Sequence, residues 1–106
     1  MRILRFIVDG QIITQDPECD FSDLVPGTTG YLKAEFIFSK EWNNTVKVAD
    51  FSRNGHECEP QILKDGKSCM IPEEALTSRQ FKIRVLGKNE NIRLTTNKVE
   101  VVQNGG

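Results

Sequence analysis

Residues 31 to 38 read YLKAEFIF. Leu32, Ala34, Phe36 and Phe38 fall on one face of this stretch, and Tyr31, Lys33, Glu35 and Ile37 fall on the other. Only a β-strand places residues i, i+2 and i+4 on one face, so the spacing predicts a half-buried strand. Residues 2 to 8 repeat the pattern, with Leu4, Phe6 and Val8 opposed to Ile3, Arg5 and Ile7. Asp9-Gly10 is a two-residue turn signal and QIIT follows it, which predicts a hairpin over 2–14. After SKEWNN a further strand is expected over 45–52. Arg53-Asn54-Gly55 then supplies the positive φ angles of a type I′ hairpin, and 56–64 should return as a strand.

Asp65-Gly66 marks another turn before SCMI. Pro72, two glutamates beside it and a basic residue at the end predict one short helix near 72–78. Residues 81–86 read as a strand with Phe81, Ile83 and Val85 inward, and GKNEN turns it. Residues 92–102 form one long strand or two short ones. About eight short strands separated by turn signals predict an all-β fold, an antiparallel β-sandwich or small barrel. With 106 residues the chain is expected to form a single domain, 1–106.

One stretch has no strand signal. Residues 15–30, QDPECDFSDLVPGTTG, are dominated by Asp, Pro, Gly, Ser and Thr and read as a loop. The loop carries the carboxylates Asp16, Glu18, Asp20 and Asp23. The EF-hand spacing is absent, so a solvated acidic loop is expected rather than a calcium site. Without apolar periodicity, the fold should not depend on its composition.

The remaining composition excludes several function classes. Fourteen basic and 15 acidic residues are interspersed and leave a net charge of −1. No basic run offers the counterion release that drives nucleic-acid binding. Cys19, Cys58 and Cys69 are an odd number and match no zinc-binding spacing. Free thiols in a reducing compartment are expected; the alternative is one disulfide, Cys58 with Cys69, and a spare thiol. The N-terminal MRILRFIVDGQ lacks the h-region of a signal peptide, so synthesis in the cytoplasm without export is expected. The sequon Asn43-Asn44-Thr45 would then be inert. No stretch reaches the roughly 18 apolar residues of a membrane span.

No constellation of residues carries a reaction. His56 and Cys58 lie two apart on one predicted strand, but no oxyanion-hole glycine motif accompanies them. Glu57, Glu59, Glu73 and Glu74 are the kind of exposed glutamates that sheets normally carry. The phosphate-binding glycine motifs and HExxH are missing. The expectation is a protein that is not an enzyme and has no cofactor and no metal. Phe36, Phe38, Phe51 and Phe81 point into the presumed core. Trp42, in a connection, either plugs one end of the sandwich or anchors a partner, and the plug is expected.

Several segments in order carry a resemblance: RILRFIVDGQ, YLKAEFIFSKEWNNTVKVADF, ILKDGKSCMIPEEAL, FKIRVLG and LTTNKVEVV. They are similar to small β domains of phages and prophages of Gram-positive bacteria. Those domains stand as short virion proteins or as N-terminal modules of baseplate and tail-fibre proteins. The shared pattern falls on Phe38-Ser39 with Trp42, on Lys47 to Phe51, on Asp65 to Pro72 and on Thr95 to Val101. The acidic loop is longer than the family pattern.

The resemblance implies a non-enzymatic virion component, made in the host bacterial cytoplasm. Its partners would be copies of itself or other virion proteins, bound without nucleic acid or membrane. The alternative is a phage-encoded inhibitor that binds a host defence protein. In either case the expected contact surface is the acidic loop, through Asp16, Glu18, Asp20 and Asp23, with the first hairpin beside it.

Overall fold

The structure is a computed structural model that describes residues 1–105. Among these residues it is an all-β sandwich of ten strands in two sheets. The first sheet has the order β2-β1-β3-β7, where β1 is Arg2–Asp9, β2 Ile12–Gln15, β3 Leu32–Phe38 and β7 Ser68–Met70. The second is built on β4 (Val46–Arg53) and β8 (Gln80–Lys88), paired antiparallel from Val46–Lys88 to Ser52–Lys82. The short strands β5 (His56–Glu57) and β6 (Gln61–Ile62) flank β4. On the far side β9 (Arg93–Thr95) and β10 (Val99–Val102) flank β8.

The alternations at 2–8 and 31–38 direct the expected residues inward. Leu4, Phe6, Val8, Leu32, Ala34 and Phe36 are buried against Phe51, Phe81, Ile83 and Val85 of the other sheet. Phe6 stacks on Phe36 with ring centroids 5.6 Å apart, and Phe51 meets Phe81 at 6.4 Å. Both are cross-strand pairs within one sheet, the first directly opposite and the second diagonal, and such pairs add to the area they bury.

One pairing is not antiparallel. β1 and β3 run parallel, in register from Arg2–Leu32 to Val8–Phe38. The cause is topological: β1 lies between β2 and β3, so an up-down-up path puts β3 in the direction of β1. The link from β2 to β3 must therefore cross the end of β1, a span of about 10 Å at two strand spacings. Residues 16–31 make that crossing, and the surplus length folds inward. Leu24 is buried in the core and Phe21 packs edge-on against Phe6 at 5.4 Å. The fold thus uses the apolar residues of this loop, contrary to the expectation that its composition is free.

Other boundaries shift for local reasons. The first hairpin turns on Gly10-Gln11 rather than Asp9-Gly10, since Asp9 pairs with Ile12, and Gly10 takes φ 60° at the first turn position. The second hairpin has the expected type I′ angles, with Asn54 at φ 46° and Gly55 at φ 77°. Residues 56–64 do not form one strand. Ser52 pairs with Glu57 but Ala49 pairs with Gln61, so one extra residue is inserted between them. Pro60 lies in this bulge, where its missing N–H leaves no ladder bond broken. The helix expected near 72–78 is a single 3-10 turn over Ala75–Thr77, because Ser78 is already extended toward β8. A second 3-10 turn, Lys40–Trp42, fills SKEWNN.

That second turn drives Trp42 into the interior, where it is 0% exposed. Its indole Nε1–H donates to the Gly10 carbonyl at 2.7 Å, and Ser39 Oγ accepts from the Gly10 amide at 2.9 Å. The hairpin tip is thereby tied to the end of β3. Trp42 contacts Phe38 at 5.1 Å between centroids and lies over Gly87 of β8. A Cβ on Gly87 would sit 2.8 Å from two indole carbons. Trp42 is the end plug of the sandwich. Trp42→Ala is expected to cost about 3–5 kcal/mol, as for large aromatic truncations in cores. Gly87→Ala should cost about 1–3 kcal/mol through overpacking. Urea unfolding of both variants checks this, and an unchanged midpoint for either contradicts the packing described.

Candidate interaction surface

The outward face of the second sheet divides into two halves. Inward residues of β4 and β8 are odd-numbered, so Val46, Val48, Asp50 and Ser52 face out opposite Lys88, Leu86, Arg84 and Lys82. Near the Trp42 end these outward residues, Lys88 apart, are apolar. Val48 lies between Leu86 and Ile62 in register, and Val46, at 66% exposed, continues the patch. Asp50 pairs with Arg84 at 3.3 Å and bounds the patch, beyond which the face is polar.

This apolar half is concave. Val46, Val48, Leu86 and Pro60 line a groove of about 550 Å³, and Gly87 forms part of its floor. The bulge at Pro60 walls one side, and the loop after β8 walls the other. Lys88 and Arg93, neighbours across β8 and β9, stand on the rim, both exposed. Neither is in an ion pair among the described residues. Asp50, the only acid lining the groove, is already engaged by Arg84. The groove is thus an apolar slot with a positive rim. Sequence reasoning missed it, although Val46, Val48 and Leu86 occupy the even positions of strands whose odd positions are core.

The acidic loop lies at the other end of the sandwich. Its four carboxylates do not form one surface. Asp16 is only 8% exposed, accepts from the Glu18 amide at 2.9 Å and approaches Arg5 at 3.8 Å, so it is a structural anchor rather than a contact residue. Glu18, Asp20 and Asp23 are exposed. Asp20 accepts from the Ser22 hydroxyl and amide at 2.6 and 2.8 Å, which holds its carboxyl below the usual range. Arg2 bonds the carbonyls of Asp20 and Ser22 and braces the backbone beneath them. Val25, two residues after Asp23, is 47% exposed.

The residues weighed for chemistry are not drawn together. His56 is exposed and stands 3.7 Å from Glu74. Cys58 is buried, and desolvation with the nearby Glu74 carboxylate raises its thiol pKa, the reverse of nucleophile activation. Burial pushes the Cys69 thiol up to about 12. All three cysteines are free. No set of three His, Cys, Asp or Glu gathers as a metal site among the described residues. No helix among them is long and apolar enough to cross a membrane.

Two measurements follow from these environments. Without reductant, a thiol reagent should count three thiols in denaturant, whereas in the native protein Cys58 and Cys69 should react far more slowly than free cysteine. Rapid native modification of either would contradict its burial. The second concerns Asp65, which accepts from Ser68 Oγ and from the Lys67 and Ser68 amides, and whose carboxyl is lowered from 3.8 to about 2. A depressed carboxyl stabilises the fold fully above its unfolded pKa and loses that contribution as pH falls through the folded value. The turn between β6 and β7 should therefore weaken between about pH 4 and 2, and Asp65→Asn should flatten that part of the stability profile.

Comparison with known protein families, curated proteins and solved structures finds no match to this chain.

Proposed function

We propose that this chain is a non-enzymatic interaction protein, a structural component of a phage virion that acts through protein–protein contacts. The observation that carries the interaction role is the groove on the second sheet. An apolar slot of about 550 Å³ is a large exposed feature for a chain of 106 residues. Exposed apolar concavities rimmed by polar groups mark sites where another surface docks. The thiol environments support the same reading, since Cys58 and Cys69 are shifted away from reactivity.

The assignment to a phage particle rests on the sequence resemblance described above. Partners would be other virion proteins or further copies of the chain. Particles purified from a phage that encodes this protein should contain it in stoichiometric amount by mass spectrometry. Val46→Asp, at a side chain 66% exposed, should leave the unfolding free energy within about 0.5 kcal/mol of wild type and abolish incorporation. Absence of the wild-type protein from particles would overturn the virion role. The same protein binding a purified host defence nuclease would then favour the inhibitor.

A further inference from the structure

We propose that the groove receives the acidic loop of a second copy of this chain, so that copies join head to tail. This deepens the interaction role proposed above and rests on it. The first support is charge. The groove rim carries Lys88 and Arg93 without ion-pair partners among the described residues, and its one acid is taken up by Arg84. The loop presents Glu18, Asp20 and Asp23, all exposed, and residues 15–30 contain no basic side chain. Facing potentials of opposite sign favour encounter and fix register.

The second support is shape and polarity. An apolar slot needs an apolar tooth, and the loop exposes Val25, two residues after Asp23. The loop can hold such a tooth out because its backbone is fixed on both sides. Leu24 is buried and accepts from the Gly105 amide at 2.8 Å, and the Gly27 amide donates to the Leu76 carbonyl at 2.8 Å. Little conformational freedom is then left to lose on docking.

The third support is placement. The loop crosses the start of β1 and β3, whereas the groove overlies the start of β4 and the end of β8, beside Trp42. β3, seven residues long, runs from one end to the other, roughly 20 Å at strand rise. One molecule cannot bring its own loop to its own groove. A contact between two different surfaces that is made once per pair of copies is heterologous, and it propagates into a ring or an open row.

Sedimentation velocity on the purified protein tests this. The wild-type mass should rise above the 12.0 kDa of the chain with increasing concentration and fall back with added salt. A groove variant, Lys88→Glu with Arg93→Glu, and a loop variant, Asp23→Asn with Val25→Asn, should each stay monomeric. Asn at position 23 keeps a residue tolerant of the positive φ found there. Each variant retains the surface that the other lacks. Mixed one to one, they should give a species of about twice the chain mass and nothing larger, because neither can extend the row. Urea unfolding confirms that both variants fold; should the groove variant not, Lys88→Gln with Arg93→Gln replaces it.

Self-association of the loop variant alone would show a symmetric groove-to-groove contact and overturn the proposal. Wild-type protein that remains monomeric at every concentration would also overturn it. If such a monomer is still incorporated into particles through Val46, the groove serves another virion protein, and the broader interaction role stands without this one.

Discussion

The architecture depends on β1 being inserted between β2 and β3. Had β3 paired with β2, a two- or three-residue turn would have sufficed and the sheet would be a simple meander. With β1 in the middle, β3 must run parallel to it, and the chain must travel around the end of β1. That requirement creates the long crossing over residues 16–31. It explains why an acidic, turn-rich segment nevertheless contributes Leu24 and Phe21 to the interior. It also sets the acids apart from each other: Asp16 is drawn in toward Arg5, while Glu18, Asp20 and Asp23 stay in water.

The two sheets also meet along both long sides. On one side the Ile13 amide donates to Asn97 and the Asn97 amide to the Gln11 carbonyl, which joins β2 to the approach of β10. On the other, β6 lies against β7. Short strands and these cross-links leave no long free edge, so a partner strand has little to add to. The docking proposed above accordingly uses a face and a loop: the apolar groove on the outward face of the second sheet and the exposed acids of residues 16–31.

Much of this was legible in the residues. Period-two alternation located β1, β3 and β8 and gave the inward side chains correctly, because one face of each is dry and the other wet. The Asn54-Gly55 turn was readable because its φ angles demand those residue types. The parallel pairing was not, since alternation says which face is buried but not which strand lies alongside. The bulge at Pro60 was hidden for the same reason: it is a fact about register between β4 and its neighbours. The groove was missed because Val46 and Val48 look like ordinary strand formers. That they form one patch depends on register, which puts Leu86 and Ile62 on either side of Val48. Asp16 was grouped with its neighbours because composition alone does not separate a carboxylate that meets Arg5 from those that meet water.

The seating of Trp42 has an optical consequence. It is the chain's only tryptophan, it is dry, and its N–H is bound to the Gly10 carbonyl. Its ring lies directly beneath Gly87, which forms part of the groove floor, with no side chain between. Emission excited beyond the absorption of Tyr31 therefore arises from a single chromophore placed one backbone layer below the proposed docking site. Any occupant that presses on that floor alters the field and packing around the indole without touching it. The protein carries its own fluorescent gauge of whether the slot is filled.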